Sequence, residues 1–426
     1  MTGTPTSAPA RVPTLLPGIE GLRGVAAVAV LLYHVQRQLA RPTTDIPLVG
    51  EVAFFSHGVT LFFVLSGFLL FLPFARGLVD GGAMPRLSRY AVNRALRVFP
   101  GYVVVLLLVS LVLRVAILPR ETRDAGISVG TLGPLDTVLN VLLLQGYAPR
   151  TLRSGIEVAW TLAVEVSFYV VLPIVALLAA RILRGRATWI RALAPAAVLL
   201  LMGVAGKVWS MVAQAPLGHR GRLASEWGVT WEAVANRSIL VHADLFAYGM
   251  AAAVVLLTLS ADGGLRDRVA AWRVLAGIVA AALIVVASEA PVGAFEESIV
   301  AASCATLLLL VALPRRGGSL GPVTRVLELR WIAWLGTISF SVYLWHLPVI
   351  RFLRRAGVVL PDTLAGFALN TLVVGAVTLA LSAATYYAIE RPALRLKDVD
   401  RRSARRRRGD AVSSEDARSA PREERR

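Results

Sequence analysis

The chain has 426 residues, 56% of them apolar and only 17% charged, with 45 Lys and Arg against 27 Asp and Glu for a formal net charge of +18. That composition supplies several apolar stretches of the ~20 residues a helix needs to cross a bilayer, and it sets nucleic-acid binding aside, because positive charge in a membrane protein collects in cytoplasmic loops and tails. The single cysteine, Cys304 in an apolar run, excludes an intrachain disulfide and reads as packing.

Residues 1–17 are rich in Pro, Thr and Ala and are expected to be disordered. The first apolar run, Gly21 to His34, is not a cleavable signal: it starts some twenty residues in, carries an embedded Arg and His, and lacks a clear small-residue cleavage site. Arg23 and His34 stand eleven residues apart in it. Eleven helical residues make about three turns, so both side chains fall on one face, roughly 16 Å apart along the axis. A cation and an imidazole together in a membrane helix are costly unless they serve something. The pair suggests a ligand path with Arg23 at its mouth and His34 deeper.

Hydropathy predicts an all-α integral membrane bundle of about ten spans, near 22–40, 56–75, 100–118, 159–180, 192–213, 239–259, 272–288, 297–313, 331–351 and 364–389. Alternate connections hold Arg76, Arg86, Arg89, Arg94 and Arg97, then Arg181, Arg184, Arg186 and Arg191, then Arg266, Arg268 and Arg273, then Arg315, Arg316, Arg325 and Arg330. The positive-inside bias places that set, and with it both termini, in the cytoplasm. Arg120, Arg123, Arg150 and Arg153, and later Arg351, Arg354 and Arg355, run against the bias. The folded part is one membrane domain over 18–394. The tail 395–426, with Arg405 to Arg408 at its centre, is expected to be disordered and to lie against anionic lipid.

Polar residues that break the apolar pattern carry the chemistry. Ser66 and Gly67 sit among aromatics in the second span; small residues there serve close helix packing or open a gap that admits a narrow acyl chain. Arg89, Asn93, Arg94, Arg97 and Pro100 precede the third span. Arg94 and Arg97 are three apart and share a helical face, either as ordinary cytoplasmic charge or as guanidinium forks for phosphate. In Trp160-Thr-Leu-Ala-Val-Glu165 a carboxylate enters an apolar run, where it pairs with an arginine of another helix or serves His34. Ser341, Tyr343, Trp345 and His346 close the ninth span, the default reading being an interfacial belt, and Glu390-Arg391-Pro392 closes the tenth as a helix stop with a local ion pair.

In this order, Arg23-x10-His34, Phe62-Phe63-x-x-Ser66-Gly67-Phe68, Arg94-x-x-Arg97-x-x-Pro100, Trp160-Thr-Leu-x-x-Glu165, Ser341-x-Tyr343-Leu-Trp345-His346 and Glu390-Arg391-Pro392 resemble the acyltransferase 3 family over roughly residues 15–395. The resemblance is to the stand-alone form, which is expected to carry no C-terminal hydrolase-like domain. The resemblance implies a plasma-membrane O-acyltransferase that takes an acyl group, commonly acetyl, from cytoplasmic acyl-CoA. It passes the group to a hydroxyl of a glycan, glycolipid, other envelope component or secondary metabolite, with no metal. His34 matches the family's essential histidine, acting as general base or as transient acyl carrier. Glu165 would orient His34 or take its proton. Arg23, Arg94 and Arg97 would hold the phosphates of CoA, and Ser66, Gly67, Trp160, Tyr343 and His346 would line the substrate path. A transporter or exporter without chemistry is the rival reading, weakened by the absence of a repeated half with matched Gly or Pro breaks. A purely structural scaffold leaves Arg23 and His34 on one face unexplained.

Overall fold

The computed structural model describes residues 16–39, 51–121, 126–261, 269–289, 293–313, 320–361 and 363–396. Nearly all of the two expected disordered ends lies outside these residues, as do Arg123, Arg266, Arg268, Arg315 and Arg316. The helices run in chain order as α1 Ile19–Leu39, α2 Gly58–Asp80, α3 Leu87–Leu107, α4 Pro134–Val141, α5 Trp160–Ile182, α6 Thr188–Gln214 and α7 His219–Trp227. They continue as α8 Trp231–Asn236, α9 Ile239–Ala261, α10 Val269–Glu289, α11 Glu296–Ala312, α12 Pro322–Leu327, α13 Arg330–Arg355 and α14 Leu364–Thr385. The described strands are β1 Ala116–Ile117 and β2 Val129–Gly130, paired antiparallel with Ala116 opposite Gly130.

This is an all-α polytopic membrane fold. Ten of the described helices have 17 residues or more, and each overlaps one predicted stretch. Eight, with their flanking turns, are long and apolar enough to cross a membrane. The helices α1 and α10 are not among the eight; α1 carries Glu20, Arg23, His34 and Arg37 among its apolar residues.

The third helix departs most from the hydropathy reading. It begins at Leu87, so Arg89, Asn93, Arg94 and Arg97 lie on the helix and Pro100 lies inside it. Its first half is amphipathic, with arginines on a face that a hydropathy window discards. It closes in a π-turn over Leu108–Val112.

Two apolar cores hold the bundle. One gathers residues of α2, α5, α6, α9 and α11, including the stacked rings of Phe168 and Phe246, whose centroids are 4.1 Å apart. The other gathers α1, α3, α13 and the segment before α5. Where α1 crosses α13, a Cβ on Gly24 would lie 2.8 Å from the Ile332 carbonyl oxygen and 2.9 Å from the Gly336 nitrogen. Only glycine allows backbones this close. That crossing sets the later turns of α1, with His34, against the middle of α13, with His346.

Candidate active site

His34 is four residues beyond Val30 on α1, and its Nδ1–H donates to the Val30 carbonyl at 2.9 Å. His346 makes the same local bond, Nδ1–H to the Val342 carbonyl at 3.2 Å. Its Nε2 therefore carries a lone pair, which lies 3.3 Å from Nδ1 of His34 and accepts a share of that same N–H. With Nδ1 protonated, Nε2 of His34 is an acceptor with no partner among the described residues, in a ring that its own helix holds in place. This is the form an imidazole needs to take a proton or to attack a carbonyl.

His34 lines a cavity of about 640 Å³ shared with Tyr33, Arg37, Arg120, Arg153, Glu157, Trp160, Arg220 and Trp227. Most of that wall comes from two connections, 119–158 and 214–238, which meet over this end of α1. Trp160 lies edge-on to Trp227 with centroids 6.1 Å apart, and the Arg237 guanidinium lies over the Trp227 ring at 3.5 Å.

Arg23 lies toward the other end of α1 and lines a separate slot of about 120 Å³ with Ser66, Arg94, Arg97, Glu165 and Tyr343. Phe62, Phe63, Leu69 and Phe340 complete its apolar wall. Ser66 donates to Glu165 at 2.6 Å. Arg97 gives one N–H to Glu390 at 3.3 Å, and Ser341 donates to the other oxygen of that carboxylate at 2.5 Å. Glu390 ends a π-turn, Tyr386–Glu390, that interrupts its helix before the α-helical turns of 391–396, and its side chain meets α3 and α13. Three separated motifs thus close on one carboxylate. Nη2 of Arg97 and Nε of Arg94 are buried without a partner, the open donors an anion would fill.

Between slot and cavity stands Tyr343. Its hydroxyl is 2.7 Å from that of Thr161, and both reach the Val158 carbonyl, at 3.1 and 2.9 Å. Phe62 meets the Tyr343 ring edge-on at 5.9 Å, and a run of ring contacts continues from Tyr343 to His346 at 5.7 Å and on to His34 at 4.8 Å.

The predicted residues therefore divide between two compartments. Arg23, Ser66, Arg94, Arg97, Glu165 and Tyr343 share the slot; His34 and Trp160 share the cavity; His346 touches His34. Glu165 makes no hydrogen bond to His34 among the described residues: it faces the slot and accepts from Ser66. Gly67 does not line the slot. A Cβ there would lie 2.9 Å from the Phe246 carbonyl carbon of α9, so this glycine serves the crossing of α2 and α9. The carboxylate on the His34 side is Glu157, which accepts from both Arg153 and Arg351. A weak signal for it was present, since Glu157 stands four residues after Arg153 and three before Trp160; its pairing with Arg351, 194 residues away, left none. Among the described residues, no group of three His, Cys, Asp or Glu is placed to hold a metal ion.

The polytopic membrane bundle thus sets a tautomerically fixed imidazole in the wall of one polar compartment, with a second beyond Tyr343. The acyltransferase domain family matches residues 16–387, and the chain belongs to that family. It is similar to acyltransferase MdmB of Streptomyces mycarofaciens, 27% identical over 347 residues that cover 80% of each chain. It is also similar to the putative peptidoglycan O-acetyltransferase YrhL of Bacillus subtilis (25% identical, covering 79% of this chain) and to peptidoglycan O-acetyltransferase OatA of Listeria monocytogenes (22% identical, covering 79%). The match spans only 48% and 49% of those two longer relatives. No solved structure matches the chain. The protein is a membrane O-acetyltransferase-like enzyme that transfers acyl groups.

Proposed function

We propose that the protein, in the plasma membrane with both termini cytoplasmic, moves an acyl group, acetyl in the first instance, from acyl-CoA to an acceptor hydroxyl. The observation that carries this reading is the position of His34: it lines the cavity with no partner on Nε2 among the described residues, while the arginine slot lies beyond Tyr343 on the other side. The phosphates of CoA would sit against Arg23, Arg94 and Arg97, with Nε of Arg94 and Nη2 of Arg97 as the open donors. The pantetheine arm would pass Ser66 and Phe62 toward Tyr343, a reach matching the roughly 16 Å from Arg23 to His34 along the helix. The acceptor enters through the larger cavity.

Two routes are balanced. In the direct one, Nε2 of His34 takes the acceptor O–H proton as the oxygen attacks the thioester carbonyl; the C–S bond breaks and the thiolate receives a proton. In the two-step one, Nε2 attacks first, the C–S bond breaks and CoA leaves as the thiolate; the acceptor oxygen then displaces the imidazole, whose freed Nε2 takes the O–H proton and returns it to the thiolate. In both, Nδ1–H stays on the Val30 carbonyl and keeps the tautomer. Glu157 stands on the His34 side, held by Arg153 and Arg351, whereas Glu165 acts on the donor side through Ser66. Two relatives are named for peptidoglycan O-acetylation, which makes a cell-wall glycan one acceptor to try first, beside other envelope components and secondary metabolites.

Membranes carrying the protein are expected to transfer label from acetyl-CoA, and His34→Gln to lower that rate by roughly 10²–10⁴-fold at unchanged protein level. An undiminished rate in that variant removes His34 from the chemistry. Mass spectrometry of envelope glycans, lipids and metabolites with and without the gene then identifies the acceptor by one acyl mass.

A further inference from the structure

The cavity around His34 is strongly one-signed. Among the described residues, Arg37, Arg120, Arg153 and Arg220 line it, against one carboxylate, Glu157. That carboxylate already accepts from Arg153 and from Arg351 behind it, so it offsets none of the others. Arg37 and Arg220 make no side-chain hydrogen bond or ion pair among the described residues. Arg120 gives one N–H to the Trp227 carbonyl at 2.5 Å. Burial, and then repulsion from Arg153, lowers its pKa from the usual arginine value. Nε of Arg153 and Nη1 of Arg351 are buried without a partner. Arg120 and Arg153 are half-buried and Arg37 and Arg220 stand exposed on the cavity wall, so together they raise a positive potential in the cavity that an entering anion would meet.

The position of these arginines makes them harder to explain otherwise. Arg120, Arg153 and Arg220 belong to the two connections, 119–158 and 214–238, on the side that the positive-inside bias empties of arginine. Topology therefore does not account for them. A polar but neutral acceptor would need hydroxyl and amide partners, not a surplus of unpaired guanidinium groups.

We infer that the acceptor is an anion: a hydroxyl compound bearing a carboxylate or phosphate close to the hydroxyl that is acylated, held by Arg37, Arg120 and Arg220 while its hydroxyl meets His34. The inference rests on the acyl-transfer reading for what the acceptor is, but not for whether the cavity binds it. The same anion chemistry could come from the phosphates of CoA; Arg23, Arg94 and Arg97 already form a separate place for those, so the cavity is assigned to the acceptor.

The test uses the full-length protein in nanodiscs and matched neutral and charged probes: glucose against glucuronate, and N-acetylglucosamine against N-acetylmuramic acid. Binding is read by saturation-transfer NMR and acetyl transfer by label from acetyl-CoA. The charged member of each pair is expected to bind about tenfold more tightly or better, the scale of one charge-assisted hydrogen bond, with the preference shrinking as salt rises. The Arg37→Gln, Arg220→Gln double variant is expected to reduce that preference to about twofold or less. Equal binding of neutral and charged probes, or no binding of any charged probe, overturns the inference. A rise in the KM for acetyl-CoA in the double variant with the preference intact also overturns it, and gives the cavity to the donor. His34→Ala separates the two readings: a charge preference that persists in this variant supports the anion site, while transfer that persists refutes only the role of His34.

Discussion

Two buried ionic clusters sit in different halves of the bundle, and they end differently. Lys207 of α6 donates to both oxygens of Asp244 on α9, at 2.7 and 2.6 Å, and to Ser298 of α11 at 2.9 Å; Ser298 in turn donates to Asp244 at 2.6 Å. All three ammonium protons are used, and Lys207 is 1% exposed. The Glu390 cluster also joins three elements, but Arg97 keeps a buried N–H group without a partner, as does Arg94 beside it. A completed cluster is a staple between helices. An uncompleted one lining a slot is a place left for a ligand.

Variants at each cluster sharpen that difference. Lys207→Met leaves Asp244 charged and unpaired in the apolar bundle and is expected to cost about 3–5 kcal/mol, read as a fall in Tm and in the yield of folded protein. The double variant Lys207→Met, Asp244→Leu should recover most of that loss, because a buried pair replaced whole by apolar groups is close to neutral. Arg94→Gln should behave in the opposite way: the KM for acyl-CoA rises about 10- to 100-fold, the worth of a charge-assisted bond, with Tm near the parent value. A Tm loss in Arg94→Gln as large as in Lys207→Met would erase the distinction between the clusters. The smallest effect is expected at Ser66→Ala, which removes one hydrogen bond to the Glu165 carboxylate, worth about 1.5 kcal/mol at the low end of bonds to charged groups. Kinetics at saturating and limiting acyl-CoA would place that loss on the donor side.

Most of the helices were legible from hydropathy alone, because apolar runs of 20 or so residues have few other fates. The start of α3 was not, since Arg89, Arg94 and Arg97 lower its hydropathy while leaving its helical pattern intact. The short helices α4, α7 and α8 were also missed. They lie in polar connections, and α8 depends on capping by Thr230, which accepts from the Ala233 amide at 3.1 Å. At the site, the spacing of Arg23 and His34 translated directly into two stations along one helix. The partners of Glu165 and Glu157 did not translate. Eight residues apart on nearly the same rod, they are about 12 Å apart along its axis, and which of them lies level with His34 depends on how high α5 is set in the bundle.

The hydroxyl pair of Tyr343 and Thr161, set between slot and cavity, has one more consequence. A protein with polar hollows opening from both ends of a membrane bundle invites a leak of ions down the cell's electrochemical gradient. Here the two hollows are divided by an aromatic ring and two hydroxyls that spend their protons on each other and on one carbonyl. On the proposed reading, an acyl group on a thin, uncharged arm displaces that plug side chain by side chain, whereas a hydrated ion meets an aromatic ring and hydroxyls already paired. On that reading the enzyme serves two compartments while its membrane stays electrically tight.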